Sequence, residues 1–390
     1  MEVRGRIVGT TEPVTLVIRD CRIETIGDSA APEGTLGGDD VWIAPAFFDV
    51  QVNGALGINY SRGDLTVARV LETTELIYKT GTGLLCPTVT TSPEDEAVSA
   101  LRTLGEACEE SKVTDASFVG FHVEGPYISS EDGPRGAHPA EHVRDPDWDE
   151  FCRYQEAAGG RIRILTLAPE REGAMPFIEK AVDSGVIVSI GHSGASQQRV
   201  HEAIAAGVRM STHLGNGSHA MIPRHDNYVW DQLASDELWA GVIPDGHHLP
   251  PPFLKIIYRA KQKERICLTS DVSAIAGLPA GVYDRSYGED KVEIHPNGKI
   301  SLAGTPYLAG ASLFLDTGIA NVATYTGASL TDAVEMATAN PARMLDVADR
   351  VGSVDPGKEA SLTLFRWEPG VAAVEVVATI VRGETVYQAG

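Results

Sequence analysis

The chain has 390 residues, 43% of them hydrophobic and 22% charged, with a formal net charge of -22. That is enough apolar material for one large core and a smaller companion unit. The acidic balance argues against a nucleic-acid surface, and no apolar run approaches the ~18 residues of a membrane span, so neither partner is expected.

Residues 1–48 alternate apolar and polar in Val14-Thr15-Leu16-Val17-Ile18 and Arg22-Ile23-Glu24-Thr25-Ile26. The turn-rich run from Glu33 to Asp40 breaks them, which predicts antiparallel strands. The last forty residues read the same way, in Ser361-Leu362-Thr363-Leu364-Phe365 and Val374 to Val381, with Arg382-Gly383-Glu384 as a hairpin turn. Chain termini often lie close together, so 1–48 and 347–390 are expected to share one composite β-sandwich domain.

Between them the pattern changes to strand, helix, strand. Eight strands are predicted, at 46–53, 83–89, 117–124, 162–168, 186–191, 208–213, 238–244 and 265–271. Helices are predicted at 66–79, 93–110, 173–184 and 197–206, the last opened by Ser196 and closed by Gly207. Eight strands alternating with helices favour an α/β fold, a (β/α)8 TIM-type barrel over 49–346. A doubly wound open sheet is the competing architecture. Residues 281–310 read as an inserted hairpin turning at Asn297-Gly298.

Several of these strands end in a side chain that binds metals. Phe118-Val119-Gly120-Phe121-His122-Val123-Glu124, Val186 to His192, and Val208 to His213 are short apolar runs of this kind. Their C-terminal ends are where a barrel places its chemistry. Each ligand has a plainer reading: Glu124 as a carboxylate paired with a nearby histidine, His192 and His213 as helix-entry residues. Their coincidence on three strands favours a metal held by Glu124, His192 and His213, with a position left for water. Asp271 ends the eighth strand and reads as general base, or more plainly as a helix cap. On the first strand, Asp49, Gln51 and Asn53 share a face. Gln51 and Asn53 are neutral amides and poor metal ligands, so one metal is expected rather than two. Zn2+ suits the ligand set, with Fe2+, Co2+ or Mn2+ as substitutes. Five dispersed cysteines, Cys21, Cys86, Cys108, Cys152 and Cys267, have no C-x-x-C pair. They read as reduced thiols. With no apolar signal core after Met1, a cytoplasmic setting is expected.

The pattern resembles the N-acetylglucosamine-6-phosphate deacetylase family of the amidohydrolase superfamily. The likeness runs nearly end to end. It rests on Pro45 to Gly54, Gly120-Phe121-His122-Val123-Glu124-Gly125-Pro126, Gly191-His192-Ser193, Thr212-His213-Leu214-Gly215-Asn216, Pro244 to His248, Thr269-Ser270-Asp271, Ala337 to Ala342, and Gly352 to Lys358. The resemblance implies a metal-dependent hydrolase that removes the acetyl group from an amino-sugar 6-phosphate. In it a metal-activated water attacks the amide and Asp271 acts as base, then acid. It implies that His138 polarises the amide carbonyl and that Asn216 and the Gly217 N–H bind phosphate. It further implies that His248 contacts the sugar and that Arg224 reaches the site of a neighbouring subunit, hence a homodimer. Gln51 and Asn53 are placed among the substrate contacts.

One loop departs from the family pattern. Gly215-Asn216-Gly217-Ser218-His219-Ala220-Met221 stands where an aromatic and Asn-Ala-Met are usual, and His225-Asp226-Asn227 follows Arg224 where Glu-Pro-Gly is common. His219 and His225 are extra histidines, expected to face solvent, with a replaced phosphate contact as the other reading. The remodelled loop keeps alternatives open: a galactosamine-type or unphosphorylated N-acetyl hexosamine, or another N-acyl or cyclic amide. A non-catalytic scaffold would have lost ligands, and none is missing.

Overall fold

The computed structural model describes every residue except 29–31, 33, 285–290 and 306–307. Eight parallel strands pair in chain order: Phe47–Val52, Thr82–Thr90, Phe121–Glu124, Ile162–Leu167, Ile187–Ile190, Met210–Ser211, Trp239–Val242 and Ile266–Leu268. Two backbone bonds close the circle between the last and the first. Asp271 N–H donates to the Gln51 carbonyl at 3.1 Å, and Asn53 N–H to the Val272 carbonyl at 3.0 Å. The sheet is therefore a barrel, as the alternating pattern predicts.

Alternation explains why these runs become barrel strands. Phe48, Val50, Leu84, Cys86, Ile164, Met210 and Cys267 fill the lower barrel interior. Their neighbours Phe47, Leu85, Phe121, Val123, Leu165, Val188 and Leu268 pack in the other large cluster, with the helices. Both faces are buried, so the strands carry apolar residues at consecutive positions. The predicted helices form at Val67–Tyr78, Glu94–Glu110, Ala174–Asp183 and Gln197–Ala205. Helix Glu94–Glu110 buries Ala97, Ala100, Leu101, Leu104, Ala107 and Cys108, a stripe at three- and four-residue spacing. Glu94, Asp95 and Glu96 sit in its first turn, favourable to the helix dipole. Ser196 caps the helix Gln197–Ala205 by accepting from Arg199 N–H. No helix among the described residues is long and apolar enough to cross a membrane.

The two ends of the chain build one seven-stranded sheet. Its strands are Glu2–Ile7, Pro13–Arg19, Arg22–Gly27, Leu36–Pro45, Leu362–Arg366, Glu375–Val381 and Glu384–Gln388. All neighbours are antiparallel except Glu2–Ile7 with Leu36–Pro45, which are parallel. Val3, Leu16, Ile18, Ile23, Ile43, Leu362, Leu364 and Ile380 gather in one core, so the sheet curls around its own apolar face. Arg382 and Gly383 both have positive φ, as a tight hairpin turn requires. Of the turn predicted over 33–40, Glu33 lies outside the described residues, and Leu36 onward is already strand.

Among its described residues the insertion holds three strands rather than one hairpin: Gly281–Asp284, Lys291–Ile294 and Ile300–Leu302. The Asn297-Gly298 turn joins the last two. Residues 285–290 and 306–307 of the predicted hairpin lie outside the described residues.

The five cysteines are free. Cys86, Cys108 and Cys267 are buried, and burial pushes their thiols up and away from the reactive thiolate. A thiol reagent is therefore expected to label Cys21 and Cys152 in the native protein and the other three only after denaturation. Rapid native labelling of all five would contradict this packing.

Candidate active site

The candidate residues meet at the C-terminal mouth of the barrel. Glu124 is the last residue of the third strand. His192, His213 and Asp271 stand just past the ends of the fifth, sixth and eighth strands. All three have left-handed backbones, with φ of 49°, 29° and 50°. Such a conformation costs a non-glycine residue about 1–3 kcal/mol, and it clusters where function requires a particular side-chain direction. Gly191 makes the approach possible, because a Cβ there would lie 2.5 Å from Thr166 Cγ2 and 2.8 Å from Thr212 Cβ.

Glu124 Oε1 lies 3.0 Å from His213 Nε2 and 3.2 Å from His192 Nε2, and the two imidazole nitrogens are 3.0 Å apart. His192 Nδ1 faces the Pro134 carbonyl at 2.9 Å, so Nδ1 carries the proton and Nε2 presents its lone pair. His213 Nδ1 has no partner among the described residues. All three residues are buried, with their ligand atoms within 4.8 Å of one another. Lone pairs and a carboxylate converging in this way require a cation, so the donor set fits a divalent metal. Burial pushes the Glu124 carboxyl up, but the adjoining His192 and His213 imidazoles outweigh it and hold the group well below its usual range.

Asp271 stands beside this cluster. Its Oδ1 accepts from Gln51 Nε2 at 2.9 Å and from Asn53 Nδ2 at 2.7 Å. Gln51 Nε2 also donates to Glu124 Oε1 at 2.9 Å and thus ties the two carboxylates together. Oδ2 is left as the oxygen that can exchange a proton. Burial, and then the charge of Glu124, push the Asp271 carboxyl up, which favours taking one. The first strand does not keep Asp49, Gln51 and Asn53 on one face. Its pairing with the second strand shifts between Asp49 and Val52, and Asp49 turns instead toward Thr269 and Ser270.

His138 Nδ1 is 2.8 Å from Thr91 Oγ1, and its Nε2 is 3.2 Å from His192 Nε2 and 3.9 Å from Glu124 Oε2. Burial, then the neighbouring His192, lower its pKa to about 3, so the ring is neutral. His248 Nδ1 is held by Asp245 Oδ2 at 2.7 Å. A cavity of about 290 Å3 opens over the cluster, lined by Asn53, His138, Asn216, Gly217, His248 and Asp271. Asp284, Val292, Ala309 and Gly310 of the insertion and the segment after it line it too. Gln51 is wholly buried and stands behind this surface. Arg224 and His225 are exposed and are not among the lining residues. His219 does not simply face solvent: it is half-buried, 3.0 Å from Tyr228 Oη and 2.9 Å from Glu131 Oε2.

Thr91, the Pro134 carbonyl and Asp245 were not expected, although each fixes one imidazole. Beneath them His122 Nε2, Thr166, Thr212 and Ser189 form a chain of hydrogen bonds of 2.6–2.7 Å across the barrel. The threonine-rich end of the second strand, Thr88-Val89-Thr90-Thr91, was the one local signal for any of these.

Comparison with known proteins agrees with this geometry. Residues 42–386 match the family model described as the amidohydrolase family. The N-acetylglucosamine-6-phosphate deacetylase of Bos taurus is 34% identical over 358 residues, covering 89% of this chain and 83% of that protein. The N-acetylgalactosamine-6-phosphate deacetylase of Escherichia coli O157:H7 is 32% identical over 320 residues, covering 82% of each. Among solved structures, a mutant N-acetyl-D-glucosamine-6-phosphate deacetylase from Mycobacterium smegmatis, in complex with N-acetyl-D-glucosamine-6-phosphate, superposes with a TM-score of 0.86. It is 27% identical, with 99% of both chains covered.

Proposed function

This chain belongs to the amidohydrolase family, and on that premise we propose that it deacetylates an N-acetyl hexosamine 6-phosphate, N-acetylglucosamine-6-phosphate first. The products are acetate and the free amino sugar phosphate. The observation that carries the reading is the convergence of Glu124, His192 and His213 beside a carboxylate, Asp271, whose one oxygen is already bonded.

Glu124, His192 and His213 would hold one divalent ion, which supplies Lewis acidity for the amide carbonyl and eases the deprotonation of water. Zn2+ is our choice, because two imidazoles and a carboxylate suit it. Asp271 takes the proton of the attacking water on Oδ2 while Gln51 and Asn53 hold Oδ1 still. His138, fixed through Thr91, directs Nε2 at the developing oxyanion. Asp271 then returns its proton to the leaving nitrogen.

Among the described residues, the cavity has no lysine or arginine in its lining. In this reading the phosphate is met by Asn216 and the Gly217 N–H and by Arg224 of a second copy, while His248 contacts the sugar. The exposed Met221, Ile222 and Trp230 around Arg224 support such a homodimer. Every residue assigned a role lies within 49–346. We take that span, together with Phe47 and Phe48 of the first barrel strand, as the catalytic barrel, and the residues on either side as its companion domain. Five free cysteines support a cytoplasmic setting.

The test is acetate release from phosphorylated and plain N-acetyl hexosamines, with metal-loaded and chelated protein. Two charge-assisted hydrogen bonds contribute about 3–6 kcal/mol, so loss of the phosphate should lower kcat/KM by ~100-fold or more. Chelation should abolish turnover, and metal should restore it. Equal rates on the plain sugar would remove the phosphate from the reading. The similarity to a galactosamine-type enzyme makes the 4-epimer the second substrate to assay.

A further inference from the structure

A second buried carboxylate stands under the base and has no part in the reaction as written. Asp49 is 1% exposed. Its Oδ1 accepts from Thr269 Oγ1 at 2.7 Å, Ser270 N–H at 3.1 Å and Gln51 N–H at 3.2 Å. Its Oδ2 accepts from Ser270 N–H at 3.2 Å and from Ser270 Oγ. Burial pushes this carboxyl up to about 6, and the hydroxyl and amide donors pull it the other way. A buried charge is tolerated only when surrounded by such donors.

The location gives the group its meaning. The eighth strand, Ile266–Leu268, has three residues and forms its ladder with the seventh alone. Against the first strand it offers no ladder, and backbone contact resumes only at Asp271 and Val272. Asp49 spans this gap. The residues it grips on one side, Thr269 and Ser270, lead directly into Asp271, where the backbone turns to φ 50°. The residue it grips on the other side, Gln51, donates to Asp271 Oδ1.

We infer that Asp49 is a positioning residue for the general base: through Thr269, Ser270 and Gln51 it sets the place and direction of the Asp271 carboxylate across the barrel seam. The inference rests on the reading of Asp271 as base.

The experiment is a double-mutant cycle on the metal-loaded protein. A misplacement near 1 Å can cost ~100-fold, so Asp49→Asn should lower kcat by ~10–100-fold. KM should change by less than ~3-fold and metal content should stay that of the wild type. In an Asp271→Asn background the same change should alter the residual rate by less than ~2-fold, because the group it positions is gone. Thr269→Val removes one donor at constant shape and should give the same pattern at ~3–10-fold, which serves if Asp49→Asn does not fold. Wild-type kcat in both single variants would overturn the inference. So would an equal loss in the Asp271→Asn background, which marks a structural role alone. Full activity of Asp271→Asn by itself would instead sink the assignment of the base.

Discussion

Replacing Asp271 by Asn is expected to lower kcat by ~100- to 10,000-fold, the range that a positioned acid–base group contributes. The amide keeps the size of the carboxylate and can still accept from Gln51 and Asn53 through its oxygen. Its nitrogen cannot take a proton from water or return one to an amine. Substrate binding and the metal should be little changed, because Asp271 is not one of the three clustered ligands. The check is a steady-state comparison with metal analysis of the same preparation. A variant that turns over at the wild-type rate would take Asp271 out of the chemistry.

The second large effect is expected at His192. Its Nδ1 proton is committed to the Pro134 carbonyl, so Nε2 has a lone pair and a fixed direction. Replacing His192 by Ala removes one of three donors and leaves Glu124 with His213. Loss of an outer partner of a ligand costs ~10–100-fold in metal affinity, and loss of the ligand itself should cost more. Purified His192→Ala protein should therefore be metal-poor after gel filtration. A metal at 100 times its dissociation constant adds about 2.7 kcal/mol to stability. Chelator should thus lower the melting temperature of the wild type and leave that of the variant nearly unchanged. Wild-type metal content in the variant would remove His192 from the ligand set.

Much of this site was legible because each proposed ligand, and the proposed base, closes a mainly apolar run. A strand buried on both faces announces itself by branched apolar residues, and a carboxylate or imidazole at its C-terminal end falls at the barrel mouth. Glu124, His192, His213 and Asp271 all stand at such an end, with smaller or inward polar side chains such as His122, Ser189, Ser211 and Thr269 earlier in the same runs. What could not be read were contacts between distant segments. Thr91 and His138 are 47 residues apart, and Pro134 and His192 are 58 apart. His219 finds Glu131 across 88 residues, so its partner is invisible to any local pattern. The face of Asp49 was misjudged for a different reason. Strict alternation put it beside Gln51 and Asn53, whereas the shifted pairing turns it to the seam. The insertion read as a hairpin because its one strong turn signal, Asn297-Gly298, joins only two of its three strands.

The composite terminal sheet has a consequence for how this protein is made. Strand Leu36–Pro45 leaves the ribosome long before its partner, so one of its edges waits for Leu362–Arg366. Phe47, just beyond it, donates to Thr363 Oγ1, 316 positions downstream. At ~5–20 residues per second the wait is roughly 15–60 s, during which an apolar strand edge is open to other nascent chains. Final assembly therefore waits for the synthesis of Leu362–Arg366, and products that stop short of residue 362 should be cleared or aggregate rather than accumulate as a working barrel.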